Sequence, residues 1–193
     1  MTNADFFKAH EFTARWEGGL SDHPADNGGL TAYGASLKFV QGIAETQGGR
    51  NFLQQIGVVL PVTRQTMRHV TADQARAMFR LEFWDALGLD CLPQRPATML
   101  YDAAVNCGRA QSVKLAQRGY NCCVFHGVKL AVDGKLGPLT RKALQQDTDT
   151  IVRAVIQARR DFYNDLAAAR PSQGVFLKGW LNRCDSLEKL LLA

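Results

Sequence analysis

Two carboxyl groups and one hydroxyl group lie close together near the start of the sequence, and their types suit acid–base chemistry. Glu17, Asp26 and Thr31 follow one another with the spacing Glu-x8-Asp-x4-Thr, among glycines that let a ligand approach the backbone. Cleavage of a glycosidic bond needs a proton donor for the leaving oxygen and a second group that stabilises the positive centre or activates water. We therefore predict that Glu17 is the acid, Asp26 the second carboxylate and Thr31 a residue that orients water.

The same three residues also suit structural roles. Glu17 would then be a solvent-facing residue at a helix end, Asp26 the first residue of an Asx turn and Thr31 an ordinary loop hydroxyl. Paired carboxylates are common in proteins, so the spacing by itself leaves both interpretations open.

A helix must position Glu17, because apolar residues recur at helical spacing before it and predict a first helix over residues 3–16, stopped by Gly18-Gly19. Glu17 then follows the helix C-terminus. The negative end of the helix dipole and the indole of Trp16 would both favour the protonated carboxyl that a general acid needs. Residues 20–33 are rich in turn formers and predict a loop with room for a short hairpin.

The rest of the chain has helical periodicity, so the fold class is predicted to be mainly α. A helix is predicted over residues 35–46, before Gly48-Gly49. Residues Thr71 to Gln74 have the pattern of a capping box, which predicts a helix from there to about residue 86 with the side chain of Trp84 facing the core. Further helices are predicted over residues 97–106, 110–125, 139–145, 150–168 and 176–191. The Pro- and Gly-bearing segment 88–96 predicts a division into a catalytic region, 1–96, and a helical region, 97–193, packed together as one globule.

Composition excludes several classes of protein. The 193 residues are 46% hydrophobic and 21% charged, which is typical of a folded globular chain and not of a disordered one. No apolar run approaches the roughly 20 residues of a membrane helix, and the charged N-terminus does not resemble a signal peptide. We expect a chain that is cytoplasmic when synthesised. The five cysteines have no CxxC spacing and no histidine at zinc-site spacing, so we expect reduced thiols, no metal and no cofactor.

Positive charge is concentrated in the second half of the chain. The net charge is +5, and residues 109–193 hold fourteen Lys and Arg against seven Asp and Glu. Such a surface attracts polyanions, including nucleic acid and the anionic bacterial envelope, although a solvated basic face would look the same. The sequence has neither a zinc finger nor an aromatic RNA-binding signature, so nucleic acid is not the expected partner.

The residues around Glu17 resemble the motif of glycoside hydrolase family 108. The string reads Trp16-Glu17-Gly18-Gly19, then Asp22-x-Pro24-x-Asp26-x-Gly28-Gly29-x-Thr31-x-Tyr33-Gly34. Two positions depart from the motif, with Asn27 where the family usually has Pro and Ala32 where it has Asn. The similarity continues through residues 83–84, 102–108, 132–138 and 178–183, and so covers nearly the full length.

The resemblance implies a lysozyme-like helical fold with a small loop or hairpin at the active site and a helical C-terminal half. It also implies N-acetylmuramidase activity of the phage endolysin kind, in which the glutamate of the Glu-Gly-Gly motif is essential, and this role carries over to Glu17. The chain from about residue 100 onward resembles the predicted peptidoglycan-binding domain that accompanies the family.

These implications define the expected partner and place of action. We expect a monomer that acts on peptidoglycan in the periplasm or outside the cell after release, with no stable membrane insertion. The alternative function is a non-catalytic peptidoglycan-binding or secretion accessory protein of the same fold.

Five more residues are predicted to bind substrate. Asp102 and Asn106 are four residues apart and share a helix face, which suits either a glycan groove or an internal hydrogen-bond role. Tyr33 and Trp180 suit stacking on sugar rings, and packing in the core is the alternative for Trp180. Arg183 suits either a contact with stem-peptide carboxylates or a local ion pair.

Overall fold

A computed structural model describes residues 4–17, 30–124 and 127–193, and these residues are mainly α-helical. The strands β1 (Thr31–Ala32) and β2 (Ala35–Ser36) pair in an antiparallel hairpin. The helices are α1 (Phe6–Ala14), α2 (Leu37–Ala44), α3 (Gln47–Gln55), α4 (Arg64–Met67), α5 (Ala72–Phe79), α6 (Gln94–Cys107), α7 (Arg109–Cys123), α8 (Pro138–Leu144), α9 (Asp149–Ala169) and α10 (Gly174–Leu191).

The chain forms two compact units. Residues Thr13–Ala86 form one, which we call the hairpin unit, and Met1–Phe12 with Leu87–Ala193 form the other, which we call the helical unit. The division after residue 96 that the sequence suggests stays a prediction. Within the described ranges, no helix has both the length and the apolar character that crossing a membrane requires.

Side-chain caps start the helices of the hairpin unit. Thr71 and Gln74 form the predicted capping box, in which the Gln74 N–H donates to Thr71 Oγ1 (3.2 Å) and the Thr71 N–H donates to Gln74 Oε1 (2.9 Å). Each such bond satisfies an amide that the first helical turn leaves without a partner. The start predicted from this motif is confirmed, because α5 begins at Ala72, but the α-helix ends at Phe79 and not near residue 86. A π-helical segment (Arg80–Trp84) follows it, and Trp84 is fully buried as predicted.

The helix predicted over residues 35–46 is shorter, because it begins at Leu37 and ends at Ala44. Ala35 and Ser36 form β2, and Ser36 caps α2 by accepting a hydrogen bond from the Phe39 N–H. Gly48 and Gly49 lie inside α3, because the Thr46 side chain caps a new helix immediately before them. A local cap outweighs the low helix propensity of glycine here.

Aromatic packing fixes α2 against α5. The rings of Phe39, Phe79 and Phe83 stack with centroid separations of 5.6 to 5.9 Å. Each such pair contributes about 0.5 to 1.5 kcal/mol beyond the burial of its surface. Because β2 runs directly into α2, this cluster also anchors the hairpin.

Close helix packing builds the helical unit, in which α6, α7, α9 and α10 contact one another. A Cβ atom on Gly119 of α7 would lie 2.5 Å from the Cα of Val155 on α9, so the two backbones meet directly there. Helix α6 begins at Gln94, three residues before the predicted start. Pro96 is tolerated because it lies in the first turn, where a missing N–H costs no intrahelical hydrogen bond.

Candidate active site

Glu17 follows the end of α1, as the sequence predicts, although the helix ends at Ala14 and not at Trp16. The Trp16 N–H donates to the carbonyl of Thr13 (3.0 Å), which adds one turn after the helix. Trp16 and Glu17 are both half-buried. The acid predicted from the sequence is therefore held next to a folded helix end.

The hairpin that follows has a tight two-residue turn. Tyr33 and Gly34 occupy the turn with φ angles of 50° and 83°, and Thr31 pairs with Ser36 on the flanking strands. Positive φ at both central residues defines a type I′ turn, whose twist matches that of paired strands. The turn projects Tyr33 outward, and 46% of this residue is exposed.

The two faces of the hairpin differ in burial. Ala32 and Ala35 are 0% exposed and anchor one face in the core. Because successive strand residues point to opposite faces, Thr31 and Ser36 lie on the other face, where both are half-buried. The Thr31 hydroxyl predicted to orient water is thus on the face that does not pack into the core.

The Glu17 side chain rests on this hairpin. A Cβ atom at Gly34 would lie 2.7 Å from Glu17 Cβ, 3.1 Å from Glu17 Cγ and 3.3 Å from Glu17 Oε2. The structure therefore brings together the predicted acid and the hairpin that carries Thr31 and Tyr33. Asp26 lies outside the described residues, and its role as the second carboxylate stays a prediction.

Asp102 and Arg183, predicted to bind substrate, form a buried ion cluster in the helical unit. Asp102 is 0% exposed, and its carboxylate accepts hydrogen bonds from Arg159 Nη1 (2.6 Å) and Arg183 Nη2 (2.8 Å). Burial alone would raise the pKa of the Asp102 carboxyl, but the two guanidinium groups outweigh it and hold this pKa below its usual value. The internal role that the sequence left open for Asp102, and the ion pair left open for Arg183, are the arrangements observed. Neither buried side chain offers a surface to a glycan.

Asn106 and Trp180 lie next to this cluster. Tyr163 connects them, because its hydroxyl donates to Asn106 Oδ1 (2.5 Å) and its ring stacks on Trp180 with a centroid separation of 5.0 Å. Burial raises the pKa of Tyr163 to about 12, so the hydroxyl keeps its proton at neutral pH. Asn106 and Trp180 are only half-buried, and their contact with substrate stays a prediction.

The sequence reasoning missed Arg159 and Tyr163. Both lie on the buried face of α9, in line with Val152 and Ile156 at spacings of three and four residues. An arginine on an otherwise apolar helix face is the signal that could have identified a buried ion pair, because an isolated charge is rarely buried.

The structure gives no indication of a metal centre in the parts of the chain it describes. Among residues 4–17, 30–124 and 127–193, no group of three His, Cys, Asp or Glu side chains could hold a metal ion.

Comparisons with known proteins identify the family and the fold of the chain. A family model described as Glycosyl hydrolase 108 matches residues 10–108, and one described as Predicted Peptidoglycan domain matches residues 111–185. No curated protein matches the chain. A solved structure, "Structure of Brucella abortus SagA", is 24% identical with a TM-score of 0.74, and the match covers 97% of this chain and 93% of that one. This likeness confirms the predicted mainly α, lysozyme-like fold with its small hairpin and helical C-terminal half.

Proposed function

The chain belongs to glycosyl hydrolase family 108, and on that premise we propose that this peptidoglycan hydrolase is an N-acetylmuramidase, cutting the glycan strands of the bacterial cell wall at N-acetylmuramic acid. The observation that carries the proposal is the position of Glu17, whose side chain lies against the turn of a hairpin with Thr31 and Tyr33 on it. An acid, a hydroxyl and an exposed aromatic ring in one place are what glycoside cleavage uses.

In the proposed reaction Glu17 donates its proton to the glycosidic oxygen as the bond from this oxygen to the anomeric carbon breaks. The departing sugar leaves as an alcohol, and the anomeric carbon becomes a positively charged, oxocarbenium-like centre. Asp26 stabilises that charge, and a water molecule held by Thr31 supplies the hydroxyl group of the new reducing end. The proton lost by this water restores the acid. Tyr33 stacks on a neighbouring sugar ring.

The C-terminal part supplies attachment to the wall. The match to a predicted peptidoglycan domain over residues 111–185 supports peptidoglycan as the partner, and the excess of basic residues after residue 108 favours an anionic envelope. Asn106 and Trp180 remain candidates for contact with glycan because part of each is exposed. We also propose, from the resemblance, a monomeric endolysin-like protein that acts on the wall after release.

The decisive experiment identifies the new reducing ends in purified peptidoglycan by mass spectrometry after digestion. N-acetylmuramic acid at the reducing end is the expected product. Reducing N-acetylglucosamine would instead indicate a glucosaminidase, and anhydro-muramic ends a transglycosylase. Binding to the wall without release of fragments would support the alternative, a non-catalytic wall-binding or secretion accessory protein.

Removing the Thr31 hydroxyl is expected to slow turnover without preventing attachment to the wall. Thr31→Ala should lower the rate of fragment release by a factor on the order of 10², because water is no longer oriented. Thr31→Ser is the matched control, since it keeps the hydroxyl and should retain most of the activity. Asp26→Asn should give a loss of the same order. Full activity in Thr31→Ala would assign the residue a structural role only.

A further inference from the structure

The backbone at Gly34 is unusual for two independent reasons. Its φ of 83° lies in the left-handed region that residues with a Cβ atom rarely adopt. In addition, the three atoms nearest to the position of an added Cβ atom all belong to the side chain of Glu17. The turn geometry accounts for the first property and not for the second.

The contact with Glu17 extends along the whole side chain. The three atoms nearest to an added Cβ are Glu17 Cβ, Cγ and Oε2, at 2.7, 3.1 and 3.3 Å. Real Cβ atoms essentially never approach a heavy atom of a residue that is not a chain neighbour to within 3.0 Å. The carboxyl end of Glu17 therefore lies close to the Gly34 backbone only because this position has no side chain.

The hairpin under Glu17 is anchored on both sides of its turn. Ala32 and Ala35, on either side of the turn, are 0% exposed, and the Leu37 N–H donates to the Leu30 carbonyl (2.9 Å), which extends the ladder beyond the strands. Ser36 then caps α2. A turn fixed on both sides can determine where a resting side chain lies.

We propose that Gly34 is a positioning residue for Glu17, and that its missing side chain sets the place of the carboxyl that donates the proton. This inference rests on the proposed function, in which Glu17 is the acid. Proton transfer requires the acid within hydrogen-bond reach of the glycosidic oxygen, and a displacement of about 1 Å can cost on the order of 10² in rate. Gly34 itself does not touch the reacting atoms in this role.

The test compares Gly34→Ala with Gly57→Ala in the 193-residue chain. Gly57 belongs to the same unit and has a φ of 81°, but a Cβ atom there would meet, among the residues that the structure describes, only Gln74 Nε2, at 3.4 Å. Both variants therefore place a Cβ atom at a similar positive φ, and the Cβ atom at position 34 is the one that meets Glu17. With soluble peptidoglycan fragments, we expect kcat of Gly34→Ala to fall by a factor on the order of 10² with KM unchanged, and that of Gly57→Ala to stay near wild type. Equal kcat values in the two variants would overturn the proposal.

If Gly34→Ala folds poorly, a second variant separates the effect of backbone strain at position 34 from the effect of the contact with Glu17. Asparagine adopts the left-handed region more readily than alanine but still has a Cβ atom. Gly34→Asn should therefore be more stable than Gly34→Ala and equally slow. Recovery of kcat in Gly34→Asn would show that backbone strain alone mattered, and would reject the positioning role.

A spectroscopic readout keeps this inference separate from the proposed function. In protein labelled with ¹³C at glutamate carboxyl groups, Glu17→Gln assigns the Glu17 resonance. The chemical shift of this resonance should change in Gly34→Ala and stay unchanged in Gly57→Ala. An unmoved resonance in Gly34→Ala would refute the positioning role even if Glu17 is the acid. An active Glu17→Gln variant would refute the role of Glu17 as the acid in the proposed function, whether or not its chemical shift changes in Gly34→Ala.

Discussion

Replacing Glu17 by glutamine is expected to lower the release of fragments from purified peptidoglycan by about 10³-fold or more, while the protein stays folded. The amide has nearly the same shape as the carboxyl and can still rest on the hairpin turn, but it cannot donate a proton to the leaving oxygen. Fragment release, followed by chromatography of reduced muropeptides, measures the loss. Binding to intact sacculi should persist, because the match to a peptidoglycan domain lies at residues 111–185, outside the hairpin unit.

Glu45→Gln is the matched control for this prediction. Glu45 belongs to the same unit and is exposed at the C-terminal end of α2. Its substitution removes the same charge from the unit and should leave the rate within about twofold of wild type, since surface substitutions away from special features have small effects. A folded Glu17→Gln variant with near wild-type activity would remove Glu17 from the mechanism.

The second large effect is expected for stability, because Asp102→Asn leaves two buried guanidinium groups without their carboxylate. Arg159 and Arg183 are 3% and 4% exposed and both bind Asp102. Breaking a buried ion pair on one side typically costs about 3 to 5 kcal/mol of unfolding free energy. For a chain of this size that corresponds to a melting temperature lower by roughly 10 °C. Thermal and denaturant unfolding, followed by circular dichroism, measure both quantities.

Asp185→Asn provides the comparison, because Asp185 also pairs with an arginine, Arg160 Nη2 at 2.7 Å, but 65% of its side chain is exposed. An exposed pair is worth about 0 to 1 kcal/mol, so this variant should unfold almost like wild type. Equal losses of unfolding free energy in Asp102→Asn and Asp185→Asn would show that the buried ion cluster stabilises the protein no more than an exposed ion pair does.

The contribution of Asp102 should also depend on pH. Its pKa is lowered in the folded protein, so the folded state keeps the carboxylate ionised where the unfolded chain already takes up a proton. The stabilisation is therefore fully present above the ordinary carboxyl pKa of about 4 and is lost as the pH falls further. The difference in unfolding free energy between wild type and Asp102→Asn should shrink below about pH 4. A difference that is constant down to pH 2 would contradict this assignment.

Local patterns determined a large part of the fold. Helical periodicity predicted the mainly α class, and the capping box at Thr71 predicted the start of α5, because both depend on residues within one or two turns of each other. The order of Glu17 and Thr31 in a known motif indicated the chemistry and the family. Such information is local or is carried by the motif itself, so it can be read without knowing how the helices pack.

Only the tertiary structure decided what the polar residues do. Asp102 is separated from Arg159 by 57 positions and from Arg183 by 81, and spacing within α6 could not show whether its face meets solvent or other helices. In the same way, the sequence placed Gly34 in a motif but could not show that its missing Cβ leaves room for Glu17. Both outcomes depend on contacts between segments that are distant in the sequence. These contacts form when the apolar faces of helices and strands pack together, because the polar groups on those faces are then buried as well.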